Sequence, residues 1–204
     1  MKTVSVIGAG VAGLASAIRL QKLGYQVHIY EKNDKVGGKM HQIKGGGYTF
    51  DLGPTIVMMI DVYREIFEFA GKNPDDYIPS EKVEPMMDLV FSKEKTMEFS
   101  TDLVKLMKML EGISKEDAQG YLEFLASIYK RYNIAMDHFL SRSFRKWTDF
   151  YNPKSLWNGL RLKTFNDAYS EIGKYVKDED LKKSLAFQTL YIGISPYQGP
   201  PYIQ

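Results

Sequence analysis

The chain contains no cysteine. This absence excludes disulfides, thiolate metal sites, a thiol nucleophile and any cofactor tethered through sulfur. A chain that needs no oxidised cysteine pairs is compatible with a reducing compartment. We therefore expect a cytoplasmic protein, and the sequence offers no evidence for a metal site.

The 204 residues also lack long apolar runs and a strong excess of either charge. No stretch reaches the roughly 18 apolar residues that a membrane-spanning helix needs. The formal net charge of +2 is too small to indicate a nucleic-acid partner. With 44% hydrophobic and 25% charged residues, the composition is typical of a globular protein with its own core.

A strand, a helix and a second strand are predicted within the first thirty residues. Thr3–Ile7 is a short β-branched run, typical of a buried parallel strand. Apolar residues at helical spacing occupy 11–23, and Gly24 is a natural helix end. Gln26–Tyr30 is the second strand. This order, with short connections, predicts a right-handed βαβ unit.

The loop after the first strand has the pattern G-x-G-x-x-G, with glycine at positions 8, 10 and 13. Between a strand and a helix, this pattern predicts a dinucleotide site. Gly8 permits the tight turn, Gly10 lets the backbone approach a pyrophosphate, and Gly13 lets the helix pack closely. The helix N-terminus then offers N–H groups and a positive dipole end to the phosphates. The alternative is a glycine turn that binds no nucleotide.

Glu31 ends the second strand, where an acidic residue accepts hydrogen bonds from a ribose hydroxyl in dinucleotide-binding folds. A carboxylate at this position would repel the additional phosphate of NADP, so NADP is disfavoured. The glycines and Glu31 leave FAD and NAD both open.

A second glycine pair, Gly37 and Gly38, follows the acid and precedes Lys39. This segment resembles the extended fingerprint of the large FAD-dependent family that includes amine oxidases and carotenoid desaturases. In that family a Gly-Gly-Arg segment approaches the FAD phosphates. Lys39 supplies the charge here but lacks the bidentate fork of arginine. The resemblance implies FAD as the cofactor.

The resemblance narrows at residues 47–59, which contain the string Phe50-Asp51-Leu52-Gly53-Pro54-Thr55. Alone, this string is typical of a strand-ending turn. The wider segment closely resembles the bacterial carotenoid desaturases, and within them the dehydrosqualene desaturases. Residues 150–152 and 185–200 agree, so the resemblance runs along essentially the whole chain.

This resemblance implies an FAD-dependent oxidoreductase acting on CH–CH bonds, which desaturates an isoprenoid precursor such as dehydrosqualene or phytoene. The redox chemistry would belong to the cofactor. Another FAD oxidase of the same superfamily, similar to the amine oxidases, is the alternative. The FAD contacts implied by the fingerprint and its continuation fall on Gly8, Ala9, Gly10, Val11, Ala12, Gly13, Glu31, Lys32, Gly37, Gly38, Lys39, Met40, Gly53, Pro54 and Thr55.

The catalytic residue is not identified. His138 is the obvious titratable candidate in the later part of the chain, but a lone histidine on a helix is more often structural.

The predicted fold class is α/β. Residues 1–80 form the N-terminal part of a Rossmann-like FAD-binding domain, comprising the βαβ unit, a hairpin across 39–52 and a helix over 61–70. Residues 81–204 form a mainly helical portion of a substrate domain, with a small antiparallel hairpin over 87–99. Ser100 or Thr101 is expected to cap one helix and Ser114 a longer one. Two further helices are predicted near 166–176 and 179–191.

Residues 142–163 combine six basic residues with one acidic residue, Asp149, and both tryptophans, Trp147 and Trp157. Basic residues interleaved with aromatic ones suit a peripheral contact with the inner face of the cell membrane. A solvated basic face beside a core helix explains the pattern equally well. The basic residues are Arg142, Arg145, Lys146, Lys154, Arg161 and Lys163.

Members of the resembled family are much longer than this chain, so the resemblance implies an N-terminal fragment. Two parallel strands and one helix cannot cover both faces of a doubly wound sheet. We therefore expect exposed apolar strand surface, a tendency to self-associate, and weak or no retention of FAD. A non-catalytic fragment that at most binds nucleotide is a third interpretation.

Overall fold

The structure, a computed structural model, describes residues 1–53, 56–163 and 166–199. Backbone contacts divide the chain into two compact units, Met1–Lys82 and Val83–Gln204. Pro54 and Thr55, two of the expected cofactor contacts, lie outside the described residues. Within the described ranges, no helix is both long enough and apolar enough to cross a bilayer.

The first unit begins with the predicted βαβ arrangement. Strand β1 (Thr3–Ile7) pairs in parallel with β2 (Gln26–Tyr30), and helix α1 (Val11–Lys22) connects them. Gly24, with φ of +87°, follows the helix, and its N–H donates to the Gln21 carbonyl at 3.0 Å. The predicted order, parallel pairing and strand bounds are confirmed.

Burial of these strands is less complete than their sequence suggests. Alternate residues of β1 are exposed, and Ile7 at its end is 90% exposed. Ile29 and Tyr30 of β2 are also exposed. The prediction of a buried β1 is wrong, whereas the expected exposure of apolar strand surface is observed. Among the described residues this sheet has only two strands, and a parallel sheet is buried only when layers cover both faces.

A hairpin and a helix complete the first unit. Strands β3 (Gln42–Gly45) and β4 (Tyr48–Asp51) pair antiparallel. Gly46 and Gly47 form the turn with φ of +58° and +82°, the left-handed conformation that a tight hairpin demands. Helix α2 (Ile60–Phe69) and a 3₁₀ turn (Pro74–Asp76) follow.

The second unit is mainly helical, as predicted, and contains one antiparallel hairpin. Its core is formed by apolar side chains of the hairpin and four helices, including Met97, Phe99, Leu106, Leu110, Phe124, Ile172 and Leu181. Its elements are β5 (Met87–Val90), β6 (Thr96–Phe99), α3 (Leu103–Ile113), α4 (Lys115–Ala135), a π-helical turn (Met136–Leu140), α5 (Trp147–Phe150), α6 (Pro153–Arg161), α7 (Ala168–Ile172), α8 (Glu179–Ala186) and a 3₁₀ helix (Phe187–Ile192).

The cap of α3 differs from the prediction. Asp102, rather than Ser100 or Thr101, accepts the N–H groups of the first turn, with its Oδ1 2.9 Å from the Val104 nitrogen. Ser100 and Thr101 instead donate their hydroxyls to the Glu84 carboxylate, at 2.6 Å in the case of Thr101. The predicted cap of α4 is confirmed, because Ser114 Oγ accepts the Asp117 N–H at 3.2 Å.

The helix predicted over 166–176 is only five residues long, α7. The chain turns after Gly173, and the Asp117 carboxylate of α4 accepts the N–H groups of Lys177 and Asp178 at 2.6 and 2.9 Å. Asp178 then caps α8 through the Leu181 N–H. The bonds to Asp117 therefore fix the turn between α7 and α8, where the apolar periodicity of the sequence predicts a longer first helix.

Candidate dinucleotide-binding site

The glycine loop between β1 and α1 has the geometry that its three glycines predict. Gly8 has φ of +94°, and its N–H donates to the Tyr30 carbonyl at 2.7 Å. A Cβ on Gly13 would overlap the Gly8 carbonyl oxygen. Any larger residue at position 13 would therefore push α1 away from the loop.

The second glycine pair lies directly against the first loop. The Gly37 N–H donates to the Ala9 carbonyl at 2.8 Å, and Gly10 and Gly37 form a parallel bridge. A Cβ built on Gly38 would lie 3.0 Å from the Gly10 Cα. Two motifs that are distant in sequence thus form one continuous backbone surface without side chains.

Gly53 joins this surface from the end of the hairpin. A Cβ on Gly53 would lie 2.5 Å from the Lys39 carbonyl oxygen, and the Leu52 N–H donates to the His41 carbonyl at 2.8 Å. The three glycine segments identified in the sequence therefore meet in space, as far as the structure describes them.

The N-terminus of α1 is open to an anion. Its N-cap, Gly10, provides no side-chain cap, and the first turn contains no acidic residue. The N–H groups of Val11, Ala12 and Gly13 precede the first intrahelical bond, in which Leu14 donates to the Gly10 carbonyl at 2.9 Å. This arrangement suits a phosphate, because free N–H groups and the positive dipole end point to the same place.

Glu31 closes the other end of the loop. Its Oε2 accepts the Ala9 N–H at 2.7 Å, and its Oε1 accepts the backbone and side-chain N–H groups of Asn33 at 3.0 and 2.8 Å. These bonds, the one from Ala9 first, hold the pKa of Glu31 below its ordinary value. A carboxylate offers about four lone-pair positions, so Glu31 can still accept a ribose hydroxyl.

Asn33 is a site residue that sequence reasoning missed. The sequence signal was an asparagine two residues after the acid that ends the strand. From that position the asparagine amide can hydrogen-bond to the preceding turn.

A cavity of about 490 Å³ lies beside the glycine surface in the same unit. Lys35 and Lys44, which are not among the expected cofactor contacts, line this cavity and give it positive charge. Both are exposed, as are the expected contacts Lys32 and Lys39. The Gln42 amide donates to the Asp51 carboxylate at 2.8 Å across the hairpin. The lining residues are Lys35, Val36, Met40, His41, Gln42, Lys44, Asp51 and Gly53.

His138 lies in the second unit, in the π-helical turn after α4. It lines a polar cavity of about 520 Å³ together with Asp137, Arg142 and Asp149. Among the described residues, no group of three or more His, Cys, Asp or Glu side chains is placed to hold a metal ion.

The basic segment 142–163 borders an apolar groove of about 430 Å³. Both tryptophans are exposed, Trp147 by 74% and Trp157 by 64%. Five of the six bases are exposed, but Lys163 donates to the fully buried Glu171. We name the apolar groove the α6 groove. Its lining includes Phe139, Leu140, Phe150, Tyr151, Leu156, Leu160 and Leu162.

Comparison with known proteins agrees with this geometry. Residues 6–72 match the family described as NAD(P)-binding Rossmann-like domain. Over 197 residues, the chain is 51% identical to the 4,4'-diapophytoene desaturase (4,4'-diaponeurosporene-forming) of Staphylococcus haemolyticus and 49% identical to that of Staphylococcus aureus. Each alignment covers 97% of this chain but only 39% of the relative's length.

Solved structures share the fold at low identity. An oxidoreductase from Methanosarcina mazei superposes with a TM-score of 0.54 at 20% identity, covering 99% of this chain and 41% of that one. A putrescine oxidase variant with redesigned cofactor binding superposes with a TM-score of 0.52 at 14% identity, covering 99% and 40%. The Rossmann-like fold class is confirmed. The chain is homologous over nearly its whole length to the 4,4'-diapophytoene desaturases, which confirms its resemblance to the bacterial carotenoid desaturases.

Proposed function

We propose that this chain forms the dinucleotide-binding part of an FAD-dependent desaturase that dehydrogenates an isoprenoid carotenoid precursor. The observation that carries the proposal is the joined glycine surface of Gly10, Gly37 and Gly38, closed by the Glu31 carboxylate. The identity of about half of all aligned residues to the diapophytoene desaturases supports the reaction.

Each of these residues would have a defined part in holding FAD. The N–H groups at the start of α1 would bind the pyrophosphate, and Glu31 would accept a ribose hydroxyl. The absence of side chains at Gly10 and Gly38 allows the cofactor to approach the backbone. Lys39 and Lys35 would add positive charge near the phosphates. When bound, FAD would accept the hydrogen removed from the substrate.

FAD rather than NADP fits the charge at the second strand. Glu31 is held in its ionised form by the N–H groups of Ala9 and Asn33, so a 2'-phosphate would meet a fixed negative charge.

The names of the relatives, which specify 4,4'-diapophytoene, support this substrate class. A chimera tests this directly: residues of this chain replace the matching region of the Staphylococcus haemolyticus enzyme. We expect the chimera to retain FAD and to convert 4,4'-diapophytoene into products that absorb at longer wavelength. A folded chimera that binds FAD but leaves 4,4'-diapophytoene unchanged would refute the substrate; one that binds no FAD would refute the cofactor.

The separate 204-residue chain is proposed to bind FAD weakly and to self-associate. The exposed end of the sheet, with Ile7 90% exposed, supports this, because unpaired apolar strand surface favours association. Purified chain should lose flavin during gel filtration and increase in mass with concentration in light scattering. Stoichiometric flavin absorbance in a monomer would contradict both statements.

We further propose that residues 142–163 contact the cytoplasmic face of the membrane, where an isoprenoid hydrocarbon resides. Exposed Trp147 and Trp157 would insert at the headgroup level, and the exposed bases would face anionic lipids. The single acid, Asp149, is already occupied by the N–H groups of Arg145 and Lys146 at 3.0 and 2.9 Å. These bonds lower the pKa of Asp149 and keep it ionised, but its single negative charge is outnumbered by the five exposed bases of the segment.

A further inference from the structure

A run of exposed apolar residues separates the glycine surface from α2. Ile56, Val57, Met58 and Met59 are each about half exposed, between 48% and 62%. Four consecutive apolar side chains in contact with water are unfavourable, and such patches commonly mark a binding surface.

Ile56, Val57 and Met58 form one side of an apolar groove of about 470 Å³, within the first unit. Its only hydroxyl-bearing members are two tyrosines and Ser80; the other lining residues are aliphatic. We name it the Met58 groove; it is lined by Met40, Ile56, Val57, Met58, Ile60, Tyr63, Tyr77, Ile78, Pro79 and Ser80.

The far wall of the Met58 groove is fixed to α2. Arg64 Nη1 lies 2.6 Å from Asp75 Oδ1, and the Tyr77 ring stacks on Phe67 with centroids 5.2 Å apart. Met59, the N-cap of α2, follows the other wall of the groove and has φ of 53°, a left-handed conformation that costs energy in a residue other than glycine. The ion pair and the ring stacking therefore fix the segment that contains Asp75 and Tyr77 to α2.

Met40 connects the groove to the cofactor segment. It follows Lys39 in the fingerprint and lines both the Met58 groove and the lysine-containing cavity beside Gly53. An occupant of the Met58 groove would thus lie immediately next to the dinucleotide site.

We propose that the Met58 groove binds a segment of the isoprenoid hydrocarbon chain of the substrate. This inference rests on the proposed function and adds to it the residues that contact the hydrocarbon. The groove offers few hydrogen-bonding groups, so a polar ligand would lose hydration without compensation. Methionine side chains adapt to an irregular, methyl-branched chain. The volume lies within the range of about 300–1,000 Å³ found for small-molecule sites.

The test is photolabelling of the 204-residue chain with a farnesyl-type hydrocarbon that carries a diazirine, followed by peptide mapping. We expect adducts to concentrate on residues 56–63 and 77–80 and to disappear when squalene competes. Met58→Lys, which places a charge in the groove, should reduce this labelling about tenfold. The matched control, Leu156→Lys in the α6 groove, should leave it unchanged.

Labelling concentrated on residues 139–162, or spread evenly over both grooves, would overturn the assignment. The same holds if Met58→Lys leaves the labelling unchanged while its circular dichroism shows that the variant is folded like the parent. This outcome is separable from failure of the proposed function, because labelling requires neither FAD nor turnover. FAD titration of the chimera carrying Met58→Lys provides the complementary measurement. Retained FAD with a raised KM for 4,4'-diapophytoene supports the groove, whereas unchanged KM contradicts it.

Discussion

The Glu31 carboxylate at the end of β2 accepts a hydrogen bond from the Ala9 backbone N–H, with 2.7 Å between the two atoms. The bond joins the second strand to the glycine loop, which also receives the Gly37 segment through the Ala9 carbonyl. Glu31 therefore fixes the loop, and in the proposed FAD complex the same carboxylate would have a second function, presenting a negative charge to the ribose.

The variant Glu31→Gln should separate these functions. The amide oxygen of the new side chain can still accept one hydrogen bond from Ala9, but the charge is gone and the NH2 group cannot accept the N–H groups of Asn33. We expect ADP and FAD affinity to fall about tenfold, since hydrogen bonds to charged groups contribute about 1.5–3 kcal/mol. The preference against NADP should fall as well. Calorimetric titration of the chimera with each nucleotide measures both, with Asp34→Asn as the control; equal affinities in Glu31→Gln and the parent would contradict this role.

A second carboxylate, Glu84, should make the stability of the chain depend on pH. Hydrogen bonds from Ser100, and then from Thr101, lower its pKa from 4.5 to about 2. Because the folded pKa lies below the unfolded one, the stabilisation is complete above pH 4.5 and is lost as pH falls towards 2.

Urea unfolding of the parent and Glu84→Gln at a series of pH values provides the measurement. The parent should be more stable at neutral pH, and the two curves should converge in acid. Glu81→Gln, which removes an exposed carboxylate nearby, should track the parent throughout. A difference between parent and Glu84→Gln that is independent of pH would show that the charge is not responsible.

Two helical glycines offer a matched test of packing. A Cβ on Gly120 in α4 would overlap the Tyr175 carbonyl oxygen, whereas a Cβ on Gly112 in α3 would meet no atom within 4 Å. Gly120→Ala should destabilise the chain by about 1–3 kcal/mol through overpacking. Gly112→Ala should stabilise it by about 0.5–1 kcal/mol through helix propensity. Thermal unfolding should therefore move in opposite directions, and a shift of the same sign would contradict the close approach of α4 to Tyr175.

Local sequence signals were sufficient for the βαβ unit. The bounds of β1 and β2 match their β-branched runs, because Gly8 and Gly24 interrupt the chain where the strands and helix change. Signals of this kind act within a few residues, so they can be recognised without knowledge of the tertiary contacts.

Long-range contacts explain why the predicted cap of α3 and the predicted length of α7 were wrong. Thr101 does not cap α3 because Glu84 binds its hydroxyl, and α7 is short because Asp117 of α4 anchors the chain after it. Neither competitor is adjacent in sequence to the element it changes. The exposure of Ile7 has the same origin, since burial of a strand depends on neighbours that its own pattern does not specify.

For the candidate site too, the sequence predicts the individual motifs, whereas their arrangement depends on tertiary contacts. The three glycine segments and Glu31 could be identified from spacing, but their meeting through Gly38 and Gly10 is a tertiary contact. The Met58 groove had no sequence signal beyond apolar composition, because its walls come from segments that are separated in the chain, such as Met40, Met58 and Ile78.

Membrane contact through residues 142–163 makes a quantitative prediction, because each base near an anionic surface contributes about 1 kcal/mol. Replacing Arg142, Lys154 and Arg161 with glutamine should weaken binding to phosphatidylserine-containing vesicles about a hundredfold, with little effect on neutral vesicles. Trp157→Ser should weaken binding to both kinds of vesicle, since the exposed ring would enter the interface.

The control replaces three exposed lysines of α3 and α4, Lys108, Lys115 and Lys130, with glutamine and so removes equal charge. Co-sedimentation that falls equally in both triple variants would indicate an effect of net charge, and unchanged binding in the first would exclude this segment as the contact.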